Sequence, residues 1–222
     1  MKERIYTIPL TEAMEENRGC VLCTIEKKLG EDALRYFTGA AMMEPDVRIL
    51  TNAKGFCARH YGKMLERDNK LSPALMMQTR SADVLKLLET DGKKKFFGGK
   101  SRRAAVSEAL KDACSSCAAC ERISGQLAEC AENFSYLLSS EADFAEKYYK
   151  SGGMCMKHFI MCLESMSDSA AEKFIDFQTE RLKEDSGDND RFILKFDYRN
   201  SDMPWGNAKD APKRLSERLR GR

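Results

Sequence analysis

Apolar side chains in the first third of the chain recur at helical steps. Ile25, Leu29, Ala33 and Phe37 fall four apart, and with Leu34 and Tyr36 they form a stripe along one helix face. Pro45 suits the first turn of a short helix over 45–52, which Gly55 ends before a new helix opens near Cys57. Ser72 followed by Pro73 reads as a cap and a first-turn proline, starting a helix that runs through Leu75, Thr79, Ala82, Leu85 and Leu88. The pattern then returns. A stripe of Ile123, Leu127, Cys130, Phe134 and Leu137 predicts a helix after Cys120, and a shorter helix over 143–150 stops at Gly152 and Gly153. A further helix carries Cys155, His158 and Phe159 to Met166, and a long one runs over 169–182 with Phe174, Ile175 and Phe177. Strand-like alternation is confined to Arg4 to Pro9 and Phe192 to Tyr198. The expected class is all-α, with a trace of extended structure at the ends. Residues 184–190, EDSGDND, read as an acidic turn, and the chain closes on a basic helix over 213–220.

Composition narrows the function classes. The 222 residues suffice for one large domain or two small ones, and 42% apolar content builds a core without crosslinks. Lys plus Arg is 37 and Asp plus Glu is 35, so net charge gives no global pull toward nucleic acid or anionic membrane. The N-terminus, MKERIYTIPLTEAMEENRGC, has no apolar run of signal length, and no stretch is apolar enough to span a bilayer. A cytoplasmic location is expected. In that reducing setting nine cysteines point to metal or redox chemistry rather than to disulfides.

The cysteines are ordered. Cys20 and Cys23 form a CxxC, and Cys57 and His60 a CxxH; Cys117 and Cys120 form a second CxxC, and Cys155 and His158 a second CxxH. The CxxC pairs lie 97 residues apart and the CxxH pairs 98 apart, and the four motifs use both histidines of the chain. One extra glycine before Cys155 accounts for the difference, and Glu44-Pro45-Asp46-Val47 aligns with Glu141-Ala142-Asp143-Phe144. This predicts two pseudo-repeated helical units, each with a CxxC turn joined to a CxxH helix start. The boundaries follow as 1–91, a basic linker over 92–103, 104–184, and a C-terminal extension over 185–222 packing on the body.

Thiolate and imidazole donors in fours suit tetrahedral zinc. Sequence proximity groups Cys20, Cys23, Cys57 and His60 around one ion, and Cys117, Cys120, Cys155 and His158 around another. Four protein donors fill the coordination sphere, as in a structural site, and no histidine remains as a general base. The expectation is therefore two zinc ions in a non-enzymatic binding or regulatory module. An iron–sulfur or thiol redox protein is the alternative. Helix starts favour thiolate at the CxxH motifs, and Lys54, Arg59 and Lys157 could offset the anionic centres or simply be solvated. Cys114, Cys130 and Cys162 read as packing residues, although Cys114 and Cys162 lie close enough in sequence to substitute as ligands.

Two other features concern partners. Lys93, Lys94, Lys95, Lys100, Arg102 and Arg103 interleave with Phe96 and Phe97, a composition that serves either single-stranded nucleic acid or a solvated connector. Trp205 reads as an anchor for the C-terminal strap, with a protein-partner hot spot as the alternative.

Taken in order, IPLTEAMEENRGCVLC, GFCARH, SGGMCMKH and KFDYRN resemble a family of uncharacterised bacterial proteins. Its pattern places an isoleucine-proline stretch before a CPxC-like pair, then GFCxxH, a second CPxC-like pair and an SGG-C-xx-H motif. The resemblance spans about residues 4–200. It departs from the pattern in lacking proline after Cys20 and Cys117. It implies an all-α cytoplasmic protein with paired cysteine/histidine motifs, and no particular activity.

Overall fold

A computed structural model describes residues 2–16, 19–89 and 101–221 of the chain, with the side chains of 2–6 and 112 left aside. Among these residues there are eleven α-helices and no strand. They are α1 (Lys2–Glu15), α2 (Val21–Thr38), α3 (Pro45–Lys54), α4 (Ala58–Leu65), α5 (Leu71–Glu89), α6 (Arg102–Ser115), α7 (Ala118–Ser140), α8 (Ala142–Tyr149), α9 (Met156–Leu163), α10 (Asp168–Leu194) and α11 (Ala211–Arg220). The all-α expectation holds.

Both segments expected to be extended are otherwise. Arg4 to Pro9 lies inside α1, which tolerates Pro9 within the helix. Phe192 belongs to the last turn of α10, and Tyr198 opens a 3-10 turn. The acidic stretch over 184–190 is not a loop either, because α10 runs straight through it. Phe174, Gln178 and Asp185 are its buried positions, four and seven residues apart, so they share one helix face. The polar stretch stays helical because Asp185 faces inward and finds cationic partners there. Most of the basic linker, over 92–100, falls outside the described residues. Ser101 caps α6 by accepting the backbone N–H of Ala104, and Arg102 and Arg103 form its first turn.

The chain divides into two compact units: Met1–Lys27 with Gln126–Arg222, and Lys28–Gly125. The first unit thus draws on both ends of the sequence. Its core stacks aromatic rings: Phe134 meets Tyr148 at 4.9 Å and Phe144 at 5.5 Å between centroids, and Phe159 stacks on Phe174 at 4.7 Å. Here α11 packs on α10 and α9, and α1 packs on α8. Trp205 lies against Phe192 with the Lys195 ammonium over its ring, as expected of an anchor for the strap. The second unit gathers Leu34, Phe37, Val47, Phe56, Met64 and Met76 around the start of α7. Edge-to-face contacts run from Phe37 to Phe56 and on to Tyr61. Met42 and Met76 fill cores, whereas Met43 is exposed.

Candidate metal centres

All four cysteine motifs open helices. Cys57 and Cys155 stand at the N-cap positions of α4 and α9, and Cys20 and Cys117 immediately precede α2 and α7. A helix N-terminus presents free N–H groups and partial positive charge, which favour anionic sulfur. The backbone N–H of Cys120 points at the Cys117 sulfur at 3.4 Å.

The structure brings all eight residues singled out by spacing into two groups, but not in the expected combination. Cys20 and Cys23 meet Cys155 and His158, while Cys57 and His60 meet Cys117 and Cys120. Each CxxC is therefore served by the CxxH more distant from it in sequence, the later one for Cys20 and Cys23 and the preceding one for Cys117 and Cys120. The physical reason lies in the division of the chain: residues 20 and 23 fold with 126–222, and residues 117 and 120 fold with 28–125. Within each group the four donor atoms all lie within 4.8 Å of one another.

In the first centre, His158 Nδ1 faces three sulfurs, Cys20 at 3.4 Å, Cys23 at 3.4 Å and Cys155 at 3.3 Å. The Cys23 and Cys155 sulfurs are 3.7 Å apart. All four residues are buried. Gly153, at φ +79°, turns the chain ahead of Cys155, in a backbone conformation glycine adopts freely. Met154, between them, is clamped by Gln178. Its Nε2 donates to the Met154 carbonyl at 2.7 Å, and its Oε1 accepts the Met154 N–H at 3.1 Å. Arg218 donates to the carbonyls of Gly152 and Met154, and is itself held by the buried carboxylate of Asp185 at 2.7 Å.

The second centre repeats this plan with different supports. His60 Nδ1 lies 3.3 Å from Cys57 Sγ, 3.3 Å from Cys117 Sγ and 3.4 Å from Cys120 Sγ, and Cys57 and Cys120 are 3.9 Å apart. Gly55, at φ +60°, makes the turn before Cys57, and its carbonyl accepts the N–H of Ala118 at 3.0 Å. Ser116 Oγ donates to the Lys54 carbonyl, and Arg80 donates to the carbonyls of Asn52, Ala53 and Ala113. These bonds seat the start of α7 against the turn that leads into α4.

The thiols divide into donors and acceptors of protons. Hydrogen bonds from the Cys20 and Cys23 thiols, with the backbone N–H of His158, hold Cys155 down to about 3, whereas Cys20 is raised well above the ordinary thiol value by its bonds to Cys155 and Cys23 and by burial. Burial, with the neighbouring Cys117, pushes Cys120 up to about 12. Burial also acts upward on Cys57, but the backbone N–H of His60 and the thiols of Cys117 and Cys120 outweigh it and lower its pKa. Burial, then Arg59 and Lys63, lower the pKa of His60, which keeps its imidazole neutral. Each centre therefore holds a sulfur suited to the anionic form beside thiols whose protons a cation would displace.

Cys114, Cys130 and Cys162 stand outside both groups. Cys114 is exposed, Cys130 is buried on α7, and Cys162 packs against the Met154 sulfur, with burial pushing its thiol up. Of the cations weighed from sequence, Lys157 pairs with Glu26 and Lys54 with Glu121. Sequence reasoning missed Glu26, Gln178, Asp185 and Arg80, which support the centres without donating to them. Only Glu26 carried a signal, since it follows Cys23 by the same three-residue step as the motif itself.

No helix among the described residues is long and apolar enough to cross a membrane. No curated protein and no solved structure matches the chain. A family model does match, over residues 1–222, and the chain therefore belongs to a family of unknown function, DUF6062.

Proposed function

We propose that each group binds one zinc ion and that the protein is a non-enzymatic helical module, built on two structural metal centres, that binds or regulates a partner. The observation that carries this reading is the pair of groups, each with three sulfurs and one imidazole nitrogen inside a single-ion cage. Zinc–sulfur bonds of about 2.3 Å in a tetrahedron set sulfurs roughly 3.8 Å apart. One sulfur pair in each group stands near that spacing, Cys23 with Cys155 at 3.7 Å and Cys57 with Cys120 at 3.9 Å, and all the donor atoms of a group lie within 4.8 Å of one another. An iron–sulfur cluster attaches its ligands to different irons and needs them further apart, which favours one ion per group over a cluster. Cys20, Cys23, Cys155 and His158 would hold the first ion, and Cys57, His60, Cys117 and Cys120 the second. Four protein donors leave no open position for substrate or activated water, which supports a structural rather than a catalytic role. Nine free cysteines suit a reducing compartment such as the cytoplasm.

Elemental analysis of freshly purified protein, with its visible spectrum, tests the reading. The expected result is two zinc ions per chain and a colourless solution. A brown preparation carrying iron and sulfide would replace zinc by the cluster alternative, and protein free of metal after zinc supplementation would refute both.

A further inference from the structure

We infer that the two centres hold their ions unequally, the first as a fixed structural ion and the second as an exchangeable one through which the protein takes up and releases a thiophilic divalent metal. This rests on the metal reading above and goes beyond it, because three differences separate centres that share the same donors.

The first difference is access. Cys20, Cys23, Cys155 and His158 are all buried, whereas Cys57 and Cys120 are only half-buried. A metal bound by thiolates leaves such a cage when an incoming ligand attaches to the ion as one sulfur departs and takes a proton from water. That route requires a cage that solvent can approach, and the second centre, with two half-buried cysteines, is the more open of the two.

The second difference is the support of the histidine. In the first centre the outer nitrogen, His158 Nε2, lies 3.3 Å from Glu26 Oε2, and Glu26 also holds Lys157 at 2.5 Å. His158 Nε2 is fully buried and has no aligned hydrogen bond, so this carboxylate is the acceptor within reach of its proton. A proton kept on Nε2 leaves Nδ1, the atom facing the three sulfurs, free to bind metal. Glu26 stands three residues after Cys23; the residue three after Cys120 is Ile123, which is apolar and buried. The support is thus absent from the equivalent place in the second CxxC.

The third difference is a cover. A methyl group built on Gly221 would lie 3.3 Å from Cys155 Sγ and 3.5 Å from Cys23 Sγ, so the end of α11 rests on the sulfurs of the first centre. Arg214 and Arg218 tie α11 to Asp185.

The test follows release of zinc from the loaded full-length protein to the chromogenic chelator 4-(2-pyridylazo)resorcinol. Two phases of one ion each are expected. Iodoacetamide added after the fast phase, followed by peptide mass mapping, should label Cys57, Cys117 and Cys120 and spare Cys20, Cys23 and Cys155. This mapping needs no variant, so it stands even where a cysteine substitution fails to fold. Glu26→Ala should speed the slow phase about tenfold and leave the fast phase alone. Glu26→Gln, which keeps an oxygen acceptor, should restore most of the slow rate. A single release rate for two ions, or early labelling of Cys23 and Cys155, would overturn the inference while leaving the metal reading intact. A protein that binds no zinc would instead overturn the metal reading.

Discussion

Pairs of cysteine substitutions can separate the crossed grouping from the consecutive one. Two double variants are informative, Cys23→Ser with Cys155→Ser, and Cys23→Ser with Cys57→Ser. In the structure, Cys23 and Cys155 belong to one cage, their sulfurs 3.7 Å apart, whereas Cys57 belongs to the other. Structural zinc binds with an apparent free energy of about 10–16 kcal/mol, so each of four donors carries about 3 kcal/mol, roughly a hundredfold in affinity. Losing one donor weakens one ion to that extent, and losing a second from the same cage removes the same ion again. The first double variant should therefore keep one zinc per chain after dialysis against a chelator just too weak to strip either ion from the unsubstituted protein, and the second should keep none. The stability losses of the second pair should add, because its two sites share no partners, and those of the first should fall short of additivity. Inductively coupled plasma mass spectrometry reads the metal count and urea unfolding reads the stability. The reverse outcome, no zinc in the first double variant and one in the second, would refute the crossed grouping and restore the consecutive one.

Asp185→Ala should destabilise the protein by about 3 kcal/mol in urea unfolding, since it strips a buried carboxylate from Arg218 while Arg214 keeps Asp188 and Asp210; a loss under about 1 kcal/mol would show that α11 is held by other means. Gln178→Ala orphans the buried N–H of Met154, whose carbonyl keeps Arg218, and should cost about 2 kcal/mol; an unchanged melting curve would contradict the clamp. Zinc binding should weaken as pH falls, because the raised Cys20 and Cys120 thiols carry protons at neutral pH that the ion must displace. Titration calorimetry in buffers of different ionisation enthalpy should show proton release on zinc binding; no dependence on the buffer would refute this. Phe134→Ala, which removes a ring packed on Phe144, Tyr148 and Phe174, should cost about 3–5 kcal/mol, measurable by the same unfolding.

The donor residues were legible because metal chemistry is local in sequence. Two donors separated by two residues can reach one ion from a single turn, so Cys20 with Cys23 and Cys57 with His60 announce themselves without any fold. Which half-site meets which is a matter of chain path, and spacing carries no information on it: Cys23 lies 34 residues from Cys57 and 132 from Cys155, yet it meets the distant one. The helices were legible for the same local reason wherever apolar residues mark the buried face, as Ile123, Leu127, Phe134 and Leu137 do on α7. They became illegible where the buried face is polar. EDSGDND reads as a loop because nothing in it is apolar, but Asp185 occupies the inward position of α10 and its charge is met by Arg214 and Arg218, about 30 residues further on. The same blindness hid Glu26 and Gln178. A carboxylate on a helix with lysines reads as a solvated face, and only the approach of His158 gives it another role. In this chain, then, sequence exposes the atoms that would touch the metal, and the structure supplies the polar residues that pack around each group.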